Sequence, residues 1–260
     1  MNPPGVLGQI LEDTRARLLA NPVDLATLEE RALSTPLGPD AMASLRAPGI
    51  RIIAEVKRRS PSAGDLKESA DPITIAKTYE AAGAAAISVL TEPHHFGGSL
   101  EDLQQVTDAC GLPALRKDFI VGRRQLLEAR LAGASLVLLI AACLTDDELE
   151  ALHSEALELG LQPLVEAHTA EEVRRAVGSG SNLVGVNNRD LVSLQVDLAV
   201  AESLRTLIPD GVTAVAESGV RVRDDIERLR QAGYEAFLVG SSLMEADDPA
   251  TQLRRLWEPS

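Results

Sequence analysis

The sequence predicts a TIM (β/α)8 barrel with extra N-terminal helices, and three observations lead to this fold class. Eight short apolar runs alternate with eight amphipathic segments along 260 residues, the usual size of one such barrel. The runs are apolar throughout, as in strands buried on both faces of a parallel sheet. An open doubly wound sheet is the competing architecture. It would favour a G-x-G-x-x-G turn after the first strand, where this chain has Ser-Pro-Ser-Ala-Gly.

Two amphipathic helices precede the first strand, at residues 7–20 and 24–33. The first strand begins at Ile52 and gives way to a polar loop after Lys57. The other strands are predicted at 85–90, 112–117, 136–141, 162–166, 183–187, 212–217 and 236–240. The other helices are predicted at 73–82, from Leu100, and at 123–131, 146–159, 170–177, 198–207, 222–232 and 249–257, several of them ended by glycine. We expect a single domain over 1–260, with 1–48 as a helical extension and 49–260 as eight β/α units.

The charge of the chain excludes several classes of partner. A net charge of −14 and a pI near 4.8 disfavour nucleic acid and anionic membranes, which such a surface repels. The N-terminal residues contain no basic segment that leads into an apolar one, and no apolar run has the length of a membrane span. Cys110 and Cys143 lack metal-site spacing and are predicted core residues. We expect a soluble, cytoplasmic protein and favour a monomer.

The end of the first strand carries a charged pair. Glu55 and Lys57 are two residues apart, so the period of a strand places both side chains on one face. The run from Ser60 to Gly64 cannot continue the strand, because Pro61 lacks an amide hydrogen and Gly64 indicates a turn. A loop with little apolar content is expected to be mobile, and we predict that it closes over a bound substrate.

Polar side chains end most of the predicted strands, and in this fold the C-terminal ends of the strands form the active site. Two of these side chains are lysines, although the chain has only four lysines in all. Lysine, unlike arginine, can release a proton when it is desolvated. Three carboxylates are expected at the same mouth, where neighbouring charges shift one another's pKa values. The residues predicted to carry acid–base chemistry are Glu55, Lys57, Lys117, Glu166 and Glu217, and the polar side chain of Asn187 is expected at the same mouth as a further catalytic residue.

Two glycine-containing turns predict a phosphate site. Phosphate-binding barrels hold the anion between the loops after the seventh and eighth strands, on backbone amides near a short helix. These loops contain Ser218-Gly219 and Gly240-Ser241 in this chain, and glycine lets the backbone approach an anion closely. For either loop alone a simple turn is an equal interpretation, but the two together favour phosphate binding. The site indicates a class of substrate and leaves the reaction open.

The histidines do not predict a metal site. His94 and His95 are adjacent and point in different directions, and Glu166 with His168 supplies only two possible ligands. We interpret these histidines as solvated or structural. Phe96 is one of few aromatic residues, and it either anchors its loop or packs against an aromatic ring of the substrate.

Six segments resemble motifs of the indole-3-glycerol phosphate synthase family, in the family's order and on the expected strands. They are EVKRRSPSAGDL from Glu55, RKDFIVG from Arg116, LVEAH from Leu164, GVNNRDL from Gly185, AESGV from Ala216 and FLVGSSLM from Phe237. The resemblance implies a TIM barrel with extra N-terminal helices and neither metal nor organic cofactor. It also implies a reaction of tryptophan biosynthesis. In this reaction 1-(2-carboxyphenylamino)-1-deoxyribulose 5-phosphate is decarboxylated, dehydrated and closed to indole-3-glycerol phosphate.

The resemblance also assigns residues to roles, and none of the assigned positions is lost in this chain. The residues expected to act on the substrate are Glu55, Lys57, Lys117, Glu166, Asn187, Glu217 and Ser218. Other residues are expected to shape the pocket or bind phosphate, and some of them belong to the two glycine turns and to the loop after the first strand. They are Ser60, Phe96, Phe119, Arg189, Leu191, Gly219, Gly240 and Ser241.

The chemistry of this reaction suits the charged groups. An aromatic carbon must attack a ketone, so an acid must protonate or polarise the ketone oxygen, and Lys117 is our first choice. Carbon dioxide and water then leave. Lys57 and Glu166 can share the acid and base roles in the loss of water, while Glu55 and Glu217 orient the lysines. Which lysine acts at which step stays open.

Two alternatives remain at this point. A barrel like phosphoribosylanthranilate isomerase would have a catalytic cysteine at the end of its first strand, where this chain has Glu55-Val56-Lys57. A non-catalytic barrel that senses a sugar phosphate would be expected to keep the glycine turns and lose Lys117 or Glu166. Both residues are present, which favours the enzyme.

Overall fold

The computed structural model describes residues 5–60, 64–65 and 71–258. Eight parallel strands close into a barrel in which each strand pairs with its neighbours along the chain, and the first pairs with the last. At this closure Ile52 lies opposite Phe237. The predicted TIM barrel is confirmed. The strands are β1 Arg51–Val56, β2 Ala86–Leu90, β3 Ala114–Lys117, β4 Leu136–Ile140, β5 Gln162–Ala167, β6 Leu183–Asn187, β7 Thr213–Glu217 and β8 Ala236–Val239.

Helices surround the barrel, and three of them precede β1. The α-helices are α1 Val6–Ala20, α2 Leu25–Ser34, α3 Ala41–Leu45, α4 Pro72–Ala81, α5 Pro93–Phe96, α6 Leu100–Ala109, α7 Arg123–Leu131, α8 Asp146–Glu158, α9 Ala170–Gly178, α10 Ala199–Leu204, α11 Arg223–Ala232, α12 Ser241–Met244 and α13 Pro249–Trp257. Short 3-10 helices cover Ala141–Cys143 and Arg205–Leu207.

The boundaries of the long elements agree closely with the predictions, because apolar periodicity and terminal glycines determine them. Three helices of four or five residues, α3, α5 and α12, are missing from the predictions, since a single turn shows no amphipathic period. Asp40 and Glu92 stabilise two of them by accepting hydrogen bonds from backbone amides of the first turn. The helix predicted at 198–207 is instead α10 followed by a 3-10 turn.

The segment after β1 forms a short antiparallel ribbon in which Arg59–Ser60 pairs with Gly64–Asp65. The sequence predicts a plain loop here, and the paired residues correct that prediction. Gly64 has a φ of +67°, which agrees with the predicted turn. The predicted mobile lid falls largely on residues 61–63, which lie outside the described residues, as does the side chain of Ser60. Closure of this segment therefore stays a prediction.

One apolar core fills the barrel and joins it to the surrounding helices. It extends from Leu7 of α1 to Leu256 of α13. Cys110 and Cys143 are buried free thiols that pack within this core, as predicted. The strands that carry the site are therefore held from both faces.

A buried polar network lies behind β3. The guanidinium of Arg116 is 2.9 Å from Asp118 Oδ2 and 3.3 Å from Glu128 Oε2. The side chains of Arg116 and Asp118 are at most 1% exposed. Asp118 Oδ1 accepts a hydrogen bond from the backbone amide of Phe119 at 2.8 Å. The network therefore fixes the turn that follows Lys117, the last residue of β3.

Arg116→Met should lower the free energy of unfolding by about 3–5 kcal/mol, because it leaves Asp118 as a buried charge without its ion-pair partner. Urea denaturation measures this change. Arg228→Met is the matched control, since Arg228 pairs with Glu202 at an exposed position and its loss should change stability little. Equal losses of stability in the two variants would contradict a structural role for the buried pair.

Candidate active site

A cavity of about 450 Å³ opens at the C-terminal ends of the barrel strands, a size typical of small-molecule sites. It brings together residues that are far apart in the sequence. Every predicted site residue lines it except Ser60, whose side chain is outside the described part of the chain. These lining residues are Glu55, Lys57, Phe96, Lys117, Phe119, Glu166, Asn187, Arg189, Leu191, Glu217, Ser218, Gly219, Gly240 and Ser241.

Lys117 lies at the centre of the charged part of the cavity. Its Nζ is 2.9 Å from Glu217 Oε2 and 3.3 Å from Glu166 Oε2. Glu166 belongs to β5 and Glu217 ends β7, so one ammonium group bridges carboxylates from two other strands. The carboxylates are at most 4% exposed and the lysine side chain 16%. The three charges are therefore largely removed from water and depend on one another.

The charges in this cluster shift one another's pKa values. Burial lowers the pKa of Lys117, but the carboxylates of Glu217 and Glu166 outweigh burial and raise it above its usual range. Burial raises the pKa of Glu166, but Lys117 and His168 reverse this shift, and the net pKa is lowered. For Glu217, burial and the negative charge of Glu166 outweigh Lys117, and the pKa is raised. The cluster therefore keeps Lys117 cationic, Glu166 ionised and Glu217 ready to hold a proton.

Lys57 and Glu55 form a second ammonium–carboxylate pair. Lys57 Nζ is 2.7 Å from Glu55 Oε1 and 3.4 Å from Ser241 Oγ. The contact confirms that both side chains lie on one face of the strand end. A Cβ at Gly240 would be 2.3 Å from Glu55 Oε1. Gly240 therefore makes room for Glu55, a steric role in addition to the phosphate role predicted for it.

Gly185 makes the same kind of room for Glu217. It lies in the middle of β6, and a Cβ there would be 2.1 Å from Glu217 Oε1. This oxygen is buried and has no hydrogen-bond partner among the described residues. Glu217 is thus packed over the backbone of Gly185 while its other oxygen binds Lys117. The sequence analysis missed Gly185, although a glycine inside an apolar strand is a signal of close approach.

Two asparagines lie at the C-terminal end of β6, Asn187 as its last residue and Asn188 directly after it, and they make different contacts. Asn187 lines the cavity, and its Oδ1 accepts a hydrogen bond from the backbone amide of Arg189 at 3.0 Å. Asn188 is buried, and its Nδ2 donates to the carbonyl oxygens of Glu217 and Ser218 at 3.0 and 3.1 Å. Asn188 therefore ties the end of β7 to β6. The sequence analysis missed it, and the doublet after an apolar strand was the available signal.

The loops after β7 and β8 meet at one side of the cavity. Ser218 has a φ of +63°, which is uncommon for a non-glycine residue, and Gly219 has a φ of +90°. Backbone conformations of this kind cluster at functional sites. α12 begins at Ser241, so the first amides of this helix have no carbonyl partner within it. Ser242 Oγ donates to the carbonyl oxygen of Val220 at 3.0 Å, which joins the two loops.

Apolar side chains line another part of the cavity. Phe96 of α5 and Phe119 after β3 pack with their ring centroids 6.1 Å apart. The N-terminal helix α1 contributes Val6, Leu7 and Ile10, which the sequence analysis did not assign to the site. A cavity with a charged cluster and an apolar wall suits a ligand that is part aromatic and part polar.

His168 follows β5 directly, and its side chain is 10% exposed and lies between two carboxylates. Of the two interpretations given for it, solvated or structural, the contacts favour the structural one. Its Nε2 is 3.3 Å from Glu166 Oε1, and its Nδ1 is 3.1 Å from Glu172 Oε2. His94 is exposed and His95 is half-buried, as expected for residues outside the site. The signal for this contact was the spacing of Glu166 and His168, because residues two apart on a strand lie on the same face.

The polar groups of the site are mainly carboxylates and cations. Among residues 5–60, 64–65 and 71–258, no group of three or more His, Cys, Asp or Glu side chains is arranged to hold a metal ion. Within the same ranges, none of the helices combines the length and apolar content needed to cross a bilayer.

The closed barrel and the paired charges at its strand ends define a TIM-barrel enzyme with an acid–base site. The sequence matches the family model of indole-3-glycerol phosphate synthase over residues 9–256. The chain therefore belongs to the indole-3-glycerol phosphate synthase family.

Similar proteins agree with this assignment. The indole-3-glycerol phosphate synthase of Nocardioides sp. strain JS614 is 48% identical over 253 residues, which cover 96% of this chain and 97% of that protein. The protein of the same name from Streptomyces griseus subsp. griseus is 48% identical over 246 residues, with coverage of 94% and 91%. A 3-hexulose-6-phosphate synthase structure has a TM-score of 0.62 and 18% identity, with coverage of 80% and 98%, and shares the fold alone. The predicted family and enzyme class, a decarboxylating lyase of tryptophan biosynthesis, are confirmed.

Gly185→Ala should lower turnover by about a hundredfold, because the new methyl group displaces Glu217 and with it Lys117, and a shift of ~1 Å at a reacting group has an effect of this order. Steady-state kinetics measures the change. Gly178→Ala at the end of α9 is the matched control, since a Cβ there meets no atom within 4 Å. Unchanged turnover in Gly185→Ala would show that the position of Glu217 does not matter for the reaction.

Proposed function

We propose that this chain closes the indole ring of 1-(2-carboxyphenylamino)-1-deoxyribulose 5-phosphate, with loss of carbon dioxide and water, as its family name implies. The observation that carries the proposal is the buried ammonium of Lys117 between two carboxylates, inside a cavity with an apolar wall. The substrate has an aromatic ring, a ketone and a phosphate. The cavity offers a suitable group for each of them.

Lys117 is the proposed acid of ring closure. The ring carbon that bears the carboxylate attacks the ketone carbon, and the ketone oxygen takes the proton from Nζ as the carbon–carbon bond forms. The oxygen approaches an alkoxide, which is a stronger base than an amine. Lys117 can therefore protonate it even though the two carboxylates raise the pKa of the lysine.

Two losses complete the reaction. Carbon dioxide leaves when the electron pair of the bond between the ring and the carboxylate returns to the ring and restores its aromaticity. The new hydroxyl then leaves as water, with a proton from the neighbouring methylene carbon. Lys57, held by Glu55, and the ionised Glu166 are proposed to share these acid and base roles. Glu217 orients Lys117, and Asn187 contacts the substrate.

The phosphate is proposed to bind the backbone amides of the loops at Ser218-Gly219 and Gly240-Ser241. Glycine at these positions has steric causes as well, because a Cβ at Gly219 would be 2.7 Å from Val196. Substitution of either glycine would therefore disturb more than phosphate binding. Ser218 offers a cleaner test, since Asp and Asn both tolerate its left-handed backbone.

The setting of the reaction is proposed as follows. The partner is a small phosphorylated molecule, and the chain acts as a single-domain monomer with residues 1–48 as an extension of the barrel. We also propose that the protein acts in the cytoplasm.

Lys117→Arg should slow the chemical step by about two to four orders of magnitude, because arginine keeps the charge but does not release its proton. Single-turnover measurement of indole fluorescence with the carboxyphenylamino-ribulose phosphate tests this. Lys77→Arg, on the exposed surface of α4, is the matched control. A Lys117→Arg variant of normal rate would move the acid role to another residue. No reaction by the unmodified protein would favour the sugar-phosphate sensor.

Ser218→Asp should raise the dissociation constant for inorganic phosphate at least about tenfold, because it places a negative charge beside the anion. Ser218→Asn is the control of nearly equal shape and should bind phosphate much as the unmodified protein does. Isothermal titration measures both constants. If the Asp and Asn variants bind phosphate equally well, the anion lies elsewhere.

A further inference from the structure

We infer that His168 is a positively charged positioning residue that holds Glu166 in its carboxylate form, and so decides which of the two carboxyls beside Lys117 acts as the base. The inference rests on the proposed function of Glu166. His168 does not line the cavity, and it acts on the reaction through Glu166.

Both ring nitrogens of His168 face carboxylate oxygens. Nδ1 is 3.1 Å from Glu172 Oε2, and Nε2 is 3.3 Å from Glu166 Oε1. A neutral imidazole carries one N–H, so its other nitrogen would present a lone pair to a negative oxygen. The imidazolium carries an N–H on each nitrogen. The contact between Nε2 and Glu166 is an ion pair and is not aligned as a hydrogen bond. His168 therefore stabilises the Glu166 carboxylate through the positive charge of its ring.

Comparison of α9 with α8 shows that Glu172 does not make the usual capping contact of a glutamate in the first turn of a helix. α8 and α9 are both preceded by a threonine cap residue, with a glutamate three residues after the threonine. In α8, Glu148 reaches back to the amide of the cap residue Thr145 at 2.8 Å, which is an ordinary capping box. In α9, Glu172 instead accepts from the amide of His168 at 2.8 Å and contacts its ring. The capping glutamate of α9 therefore anchors the histidine.

The cation explains why two carboxyls that share one lysine behave differently. Glu217 Oε2 is nearer to Lys117 than Glu166 Oε2 is, at 2.9 against 3.3 Å. On this contact alone Glu217 would be the better stabilised carboxylate. Its other oxygen has no partner among the described residues, whereas the other oxygen of Glu166 faces His168. Glu166 therefore has two cationic groups beside it and Glu217 has one, which favours Glu166 as the ionised partner.

Other titratable groups near His168 do not compete for its proton. Burial raises the pKa of the Cys143 thiol, and the charges of Glu166 and Glu172 raise it further, so this group stays neutral. The pKa of Asp190 is lowered, mainly by the amide of Ser193, and its negative charge favours the imidazolium. Burial lowers the pKa of His168 itself, but the two flanking carboxylates outweigh burial and raise it to about 10.

The unmodified protein provides the first test, through NMR of its four histidine rings. At about pH 8 an ordinary imidazole is neutral. We expect one ring, identified by its loss in His168→Gln, to keep the nitrogen shifts of an imidazolium at this pH. A neutral His168 at about pH 8 would overturn the inference, and this result does not depend on any variant.

Kinetics of His168→Gln provides the second test. The acid limb of kcat should move upward by about one to three pH units, because Glu166 loses a neighbouring cation. KM should change little. Glu172→Gln should move the limb in the same direction by less, and His153→Gln, which removes a buried imidazole elsewhere in the fold, should leave it in place. An unmoved acid limb in His168→Gln would overturn the inference.

Stability separates a charged role from simple packing. A group whose pKa rises from 6.5 to about 10 on folding stabilises the protein fully below pH 6.5 and loses this effect as the pH rises through about 10. The difference in unfolding free energy between the unmodified protein and His168→Gln should therefore shrink over this range. A difference independent of pH would indicate packing alone and contradict the inference.

Glu166→Gln distinguishes failure of the inference from failure of the proposed function. If Glu166→Gln keeps full turnover, Glu166 has no role in the reaction, and the acid or base role proposed for it under the proposed function is wrong. If Glu166→Gln is inactive but His168→Gln keeps the acid limb of the unmodified protein, only the inference about His168 fails.

Discussion

The rest of the site depends on the ammonium of Lys117, which lies 2.9 and 3.3 Å from two carboxylates inside the barrel. Two carboxylates so close together and so little exposed would repel each other and lose their hydration, and one paired cation offsets much of this cost. Neighbouring residues keep this arrangement in place. Some make room for a carboxylate, some connect the ends of strands, and one adds a second cation. The residues with these tasks are Gly185, Asn188, His168, Arg116 and Asp118.

An acidic chain that binds an anionic substrate must concentrate its cations. The chain has a net charge of −14, yet Lys57, Lys117, Arg189 and Arg221 all line one cavity. Backbone amides of the loops after β7 and β8 can add positive potential without any charged side chain. Low dielectric at the strand ends makes each of these charges act more strongly than it would at the surface. The fold thus concentrates positive charge at the cavity although the chain as a whole is acidic.

The sequence predicts the barrel and the charged residues because both leave periodic or positional signals. Apolar runs and terminal glycines locate the long elements, and Lys117 and Glu217 are polar residues at the ends of such runs. It does not predict α5 or α12, since a single turn has no period. Nor does it predict that Gly185 makes room for Glu217, because this side chain crosses from another strand. Such contacts become visible only when the barrel is closed.

NMR of the lysine side chains tests most directly whether two carboxylates hold Lys117 in its protonated form in the free enzyme. The chain has only four lysines, so their Nζ and Cε signals can be resolved, and Lys117→Arg identifies the signal of interest. An ordinary lysine side chain has a pKa of about 10.4. We expect Lys117 to remain protonated well above this pH, because the carboxylates of Glu217 and Glu166 outweigh the effect of burial and raise its pKa. A Lys117 signal that titrates at or below the ordinary lysine pKa would show that the two carboxylates do not hold its charge.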